Sequence, residues 1–249
     1  MNLTQPLIDR NDPDLEERMS TSASELGERQ KRALHIAASF GGRLFRKMVW
    51  YGIRVFLYPY FRVKGKDADH LNISGPVILA PVHRSNLDAP LLVVQTPRMI
   101  HALAKESLFS SKPLAWVMSA LGGVPVNRGA ADRDALKAAQ SLLEQGASII
   151  VFPEGTRQLG ETVGEVFDGA AFLAARTGAK VIPVGIGGTE SALPAGSKIP
   201  RRNRVRIIVG EPLELKNPDG GRVPTSVRKA FTEDLKQQLQ KVFDESLEN

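Results

Sequence analysis

The chain has 249 residues, 42% of them hydrophobic and 24% charged, which is enough apolar material for a packed core. It contains no cysteine, which excludes disulfides and thiolate metal sites and fits a reducing compartment. The formal net charge of +6 points to an anionic partner (nucleic acid, membrane lipid or a phosphorylated substrate), and no uncharged apolar run approaches the roughly 18 residues of a bilayer span.

Residues 1–32 predict an acidic, mobile leader. The first 28 hold seven acidic side chains against two arginines, include Pro6 and Pro13, and lack the apolar run of a secretory signal. The charge then reverses: ten Lys or Arg and no acid lie between Arg29 and Lys66. Within residues 33–61, Phe40, Leu44, Phe45, Met48, Val49, Tyr51, Val55, Phe56 and Tyr58 alternate with Arg43, Arg46, Lys47 and Arg54. Spacings of three and four predict one or two amphipathic helices, broken near Gly41–Gly42 and stopped at Pro59. A basic, aromatic-rich helix suits docking on an anionic membrane surface. The same periodicity suits a stripe packed on the protein's own core.

From residue 62 to 249 short β-like runs alternate with helical patterns. Strands are predicted over 62–64, 77–82, 99–104, 124–126, 148–152, 180–186 and 204–209. Helices are predicted over 86–95, 114–121, 132–145, 169–177 and 225–247, the last with Val227, Phe231, Leu235, Leu239 and Val242 on one face. This alternation predicts a single α/β domain whose mostly parallel, mixed sheet of about seven strands is covered by helices. Reactive side chains of such sheets lie just past the carboxyl ends of strands.

Two stretches occupy such positions. In "VHRSNLD" His83 follows a strand and Asp88 falls in the first turn of the next helix, where the helix dipole favours a carboxylate. A corner between strand and helix lets the carboxylate reach back and orient the imidazole. The bland alternative is a pocket-lining histidine beside a helix-capping acid. In "SIIVFPEGTR" Glu154, Gly155, Thr156 and Arg157 follow an apolar strand, and a glycine turn beside an arginine makes an oxyanion or phosphate cradle. A capped turn with a surface ion pair fits equally well.

Together these motifs resemble the glycerolipid acyltransferase superfamily, which contains the 1-acylglycerol-3-phosphate acyltransferases. His83 and Asp88 match its His-x4-Asp motif, and Phe152 to Arg157 match its "FPEGTR" block. "GGVPVNR" ending in Arg128, "VIPVGI" from Val181 to Ile186, and Lys105 in "ALAKESLF" follow the family's further blocks, so the likeness runs from Arg62 to Gly210. Val82, Gln158 and Asp168 depart from the usual pattern.

The resemblance implies acyl transfer from a thioester, acyl-CoA or acyl carrier protein, to a lysophospholipid hydroxyl, first of all that of 1-acylglycerol-3-phosphate, giving phosphatidic acid. His83 is the expected general base, since an alcohol must lose its proton during attack and an imidazole suits that task near neutral pH. Asp88 fixes its tautomer. Arg128 and Arg157 hold the acceptor's phosphate, and Glu154 binds its glycerol or orients Arg157. Thr156 belongs to the same substrate-binding block, and N–H groups near Gly155, or Lys105, stabilise the oxyanion. No metal or cofactor is expected, because the four histidines show no ligand spacing. The expected setting is peripheral, on the cytoplasmic face of a membrane, with no nucleic acid partner. Ser85 is not expected to act as a nucleophile. The basic cluster Lys198, Arg201, Arg202, Arg204 and Arg206 meets a donor's phosphate, meets lipid headgroups, or is a solvated loop. Two rival readings are another acceptor, such as glycerol-3-phosphate, and a non-catalytic membrane-binding protein.

Overall fold

A computed structural model describes residues 27–126, 132–215 and 223–248. The leader expected over 1–32 lies outside them up to residue 26. From residue 27 the chain is already helical, as α1 over 27–38, so this helix crosses the boundary expected at 32. After a bend at Ser39 comes α2 (Phe40–Gly52), which runs on through a π-helical turn, Ile53–Leu57, into α3 (Tyr58–Tyr60). The break sits at Ser39 rather than at Gly41–Gly42, because the Ser39 hydroxyl caps the new helix by accepting from the Gly42 N–H at 3.0 Å. Pro59 does not stop the helix. It lies in α3, which directly follows the π-helical turn, and the helix ends one residue later, at Tyr60.

The remaining elements are β1 (Lys64–Lys66), β2 (Val77–Pro81), α4 (Asp88–Val93), β3 (Ile100–Lys105), α5 (Lys112–Ala120), β4 (Gly123–Val126), α6 (Asp132–Glu144), β5 (Ser148–Ile150), α7 (Gly169–Thr177), β6 (Lys180–Gly187), α8 (Thr189–Ala192), β7 (Arg206–Val209) and α9 (Thr225–Leu247). The seven strands form one sheet in the order β1-β7-β6-β2-β5-β3-β4. All neighbours are parallel except β6 and β7. β1 and β7 therefore run against the other five. β1 begins two residues later than expected because Phe61 and Arg62 complete the helix end, Val63 N–H reaching back to Tyr58 O at 2.9 Å.

β2 is buried along its whole length, as a central strand covered on both faces must be. Its residues alternate between two apolar clusters: Val77 and Leu79 join the one built with Phe61, Leu91, Leu92 and Phe243, while Ile78 and Ala80 join the one built with Leu143, Leu173 and Leu235. α9 crosses β6 so closely that a Cβ on Gly185 would lie 2.0 Å from the Val242 carbonyl oxygen. Of the expected α9 stripe, Val227 is exposed and the other four are buried.

The N-terminal helix carries two stripes rather than one. Trp50, Ile53, Leu57 and Tyr58 pack inward, and Phe45 sets its ring edge-on to Trp116 of α5 at 5.1 Å. Phe40, Leu44, Met48, Tyr51, Val55 and Phe56 face solvent. Among the described residues no helix is long and apolar enough to cross a membrane.

Two expectations test this packing. Gly185→Ala must push α9 off the sheet, an overpacking that lowers unfolding free energy by about 3 kcal/mol in denaturant titrations. His101 on β3 is buried with Nδ1 unpartnered, and burial, helped by Arg46, lowers its pKa below the ordinary value, against a smaller opposing bond to the Gly122 backbone. A folded value below the unfolded one means stability is full above about pH 6.5 and is lost as pH falls towards the folded value. The unfolding temperature of His101→Leu should therefore fall less than the parent's on acidification from about pH 7.5 to 5.5.

Candidate active site

The carboxyl ends of β6, β2, β5, β3 and β4 share one edge of the sheet, and the motif residues stand along it. After β2 the chain turns through Val82 to Leu87 before α4 starts at Asp88. The turn closes on the Asp88 carboxylate, which is fully buried. Its Oδ2 lies 3.0 Å from His83 Nδ1 and accepts the N–H groups of Arg84 and Ser85, both at 2.7 Å. Its Oδ1 accepts the Thr189 hydroxyl at 2.6 Å. An ionised carboxylate only accepts, so Nδ1 carries the ring proton and Nε2 presents its lone pair. The ring is stacked on Phe152 with centroids 3.9 Å apart and is partly open to solvent, and Nε2 has no partner among the described residues. The imidazole is thus held in one orientation, by Asp88 at Nδ1 and by the Phe152 ring.

The turn after β5 meets the same loop. Glu154 is buried, and its carboxylate takes both contacts from Arg84 Nη1, at 2.9 and 3.0 Å, with the N–H groups of His83 at 3.0 Å and Gly164 at 2.9 Å. Arg84 is buried too: Nε and Nη2 donate to the carbonyls of Gly160 and Thr162, and its guanidinium lies 4.7 Å over the Phe243 ring. Glu154 thus faces Arg84, not Arg157. Its side chain is fully buried, and its partner is Arg84 where the sequence offers Arg157 or the acceptor's glycerol.

Two of the N–H groups at this turn have backbone acceptors of their own. The Gly155 N–H donates to Phe152 O at 3.0 Å and the Thr156 N–H to Glu154 O at 2.8 Å, which closes a tight turn with Gly155 at φ +70. Gly155, Thr156 and Arg157 are exposed, and Gln158 N–H donates to His83 O at 2.9 Å, so Arg157 is one residue from the histidine's own backbone clamp. Lys105 ends β3, exposed, with β5 between its strand and that of His83, a lateral offset of about 10 Å. Arg128 lies outside the described residues, two positions past the end of β4. Ser85 is buried and its hydroxyl donates to Leu193 O at 2.9 Å, so it is not poised as a nucleophile.

Sequence reasoning missed Arg84 and Thr189. Arg84 stands at an unspecified position of the motif, but an arginine directly after a buried strand signals a demand for a buried acid. Thr189 lies in "GIGGTE", just past β6, and the β2–β6 pairing brings it to the carboxylate. Asp168, which departs from the family pattern, bonds Arg228 Nε at 3.1 Å and so ties α7 to α9.

Comparison with known proteins places these features in context. A family model described as Acyltransferase matches residues 62–187. The chain is 31% identical over 179 residues to the chloroplastic 1-acyl-sn-glycerol-3-phosphate acyltransferase LPAT1 of Arabidopsis thaliana, covering 70% of this chain and 49% of that one. It is 27% identical over 182 residues to the Bacillus subtilis (strain 168) 1-acyl-sn-glycerol-3-phosphate acyltransferase, covering 72% and 87%. The chain spans about half the length of the plant and algal relatives it matches. The solved structure of the 1-acyl-sn-glycerophosphate acyltransferase PlsC from Thermotoga maritima superposes with a TM-score of 0.62, at 25% identity, over 90% of this chain and 97% of that one.

Removing one half of the buried pair should expose its value. Arg84→Met leaves Glu154 buried without its cation and should cost about 3 to 5 kcal/mol in chemical denaturation, of which Arg84→Met/Glu154→Leu should recover a large part.

Proposed function

The chain belongs to the acyltransferase family, and from that premise we propose that it transfers an acyl group from a thioester to the free hydroxyl of 1-acylglycerol-3-phosphate, giving phosphatidic acid. The observation that carries the reading is the His83–Asp88 pair: an imidazole with one nitrogen bonded to a buried carboxylate at 3.0 Å and the other facing outward. The names of the relatives support the acceptor.

In this mechanism His83 Nε2 removes the proton of the acceptor hydroxyl as its oxygen attacks the thioester carbonyl. Asp88 stabilises the imidazolium that forms. When the tetrahedral intermediate collapses, the C–S bond breaks and the imidazolium returns its proton to the departing thiolate. No acyl-enzyme arises. With the turn N–H groups at 155 and 156 engaged, Lys105 is the residue left to meet the oxyanion from the expected set. Arg157, exposed beside the histidine's loop, holds the acceptor's phosphate, and Arg128 is assigned the same task. The donor is acyl-CoA or an acyl carrier protein.

The exposed row Phe40, Leu44, Met48, Tyr51, Val55 and Phe56 docks the protein on the membrane that holds the acceptor. Full transfer of a Phe, Leu, Met or Val side chain out of water gains about 1.5 to 3 kcal/mol, of which these partly covered side chains supply a share, while Arg43, Lys47 and Arg54 stay with anionic headgroups.

Mass spectrometry of products from mixed lysophospholipids and one labelled acyl-CoA should show phosphatidic acid. His83→Ala and Asp88→Asn should lower kcat by about 10³ to 10⁴ with little change in acceptor KM, whereas Arg157→Ala should chiefly raise that KM. Undiminished turnover by His83→Ala rejects the mechanism.

A further inference from the structure

An open surface concavity of about 430 Å³ is lined by Arg62, Arg202, Asn203 and Arg204, the three arginines exposed. Strand direction explains where it lies. Because β7 and β1 oppose the other strands, their amino ends share the edge that carries His83, and the loops entering them deliver Arg202–Arg204 and Arg62. Among the described residues, none of these three arginines forms an ion pair. Two separate stretches of chain thus bring three uncompensated cations to one concavity.

The backbone is built for it. Arg62 adopts φ +47 at the end of the N-terminal helix, a left-handed position where glycine is the usual occupant and a bulky side chain is uncommon. Asn203 Nδ2 donates to Gly188 O at 2.8 Å, and the adjacent Thr189 bonds Asp88, so the arginine loop is braced against the catalytic carboxylate.

Apolar neighbours indicate the source of the anion. Ile199, in the same loop, is 77% exposed. The Tyr60 hydroxyl donates to Pro200 O at 3.2 Å, tying this loop to the helix whose exposed row ends at Val55 and Phe56. Cations in a concavity, flanked by exposed apolar side chains, match a surface that meets headgroups and acyl chains together. We propose that the cavity binds the phosphate of an anionic membrane phospholipid, at a site separate from Arg157. The inference rests on the reading of the N-terminal helix as lipid-facing.

The test is partition of the full chain into phosphatidylcholine vesicles with and without phosphatidylglycerol, beside kinetics in neutral detergent micelles. Arg62→Gly relaxes the backbone while removing its cation, so Arg62→Gly/Arg202→Gln/Arg204→Gln should fold. Its partition into the anionic vesicles should fall by about fivefold per arginine. A control with the same charge loss on helices outside the arginine loop, Lys137→Gln/Lys229→Gln/Lys236→Gln, should stay near the parent, and KM for acyl-CoA in micelles should not change for either. Equal loss in both variants, no loss in the cavity variant, or a rise in KM for acyl-CoA with vesicle binding intact overturns the proposal. Failure of the parent to bind neutral vesicles counts against the lipid-facing helix itself. Absence of acyl transfer by the parent in micelles counts against the enzymatic reading, and the vesicle measurement still decides the cavity.

Discussion

The sheet edge that carries His83 depends on two opposite charges held together out of water. Placing Arg84 and Glu154 in the interior carries a desolvation cost of several kcal/mol per ion, tolerable only where the lone pairs and N–H groups find partners. Here they do. Glu154 accepts from Arg84, His83 and Gly164, and Arg84 donates to Glu154 and to the carbonyls of His83, Gly160 and Thr162. The pair thereby joins the β2 and β5 turns to the strip from 160 to 164, over the Phe243 ring of α9. His83 is clamped on both sides of its peptide: its N–H goes to Glu154 and its carbonyl receives Arg84 Nη1 and Gln158 N–H.

On that clamped backbone a second buried carboxylate sets the side chain. Asp88 takes four donors, two of them peptide N–H groups, so its position is fixed by the turn itself and not only by the histidine it orients. Tyr58 extends this order outward. Its hydroxyl, whose pKa burial pushes up to about 12, donates to Leu91 O at 2.9 Å and accepts from Gln95, fastening the N-terminal helix to α4 and so to the element that begins with Asp88. Helix, the turn from His83 to Asp88 and the sheet are thus one connected assembly.

Much of this was legible in the residues, and the failures share a cause. Strand and helix alternation gave the sheet, and the spacing from His83 to Asp88 anticipated a contact across a strand-to-helix corner. Local pattern could not reveal Glu154 turning to Arg84, since two residues 70 apart meet only once β2 and β5 are adjacent. It likewise could not show that the Gly155 and Thr156 N–H groups find acceptors within their own turn. For the amphipathic segment, periodicity posed a choice between core and lipid surface. The helix has two stripes, and an apolar count around one cylinder cannot say which faces inward.

The π-helical turn at Ile53–Leu57 has a consequence for chain length. Such a turn holds one residue more than an α-helical turn, and each residue of an α-helix advances the chain by about 1.5 Å and 100°. Everything upstream of Ile53 is therefore aimed by a count of one. Lose that residue, let the turn relax to ordinary helix, and Phe40, Leu44 and Met48 swing by more than a quarter of a circle relative to the sheet. The azimuth of the outward row is thus set by one residue of chain length at Ile53–Leu57.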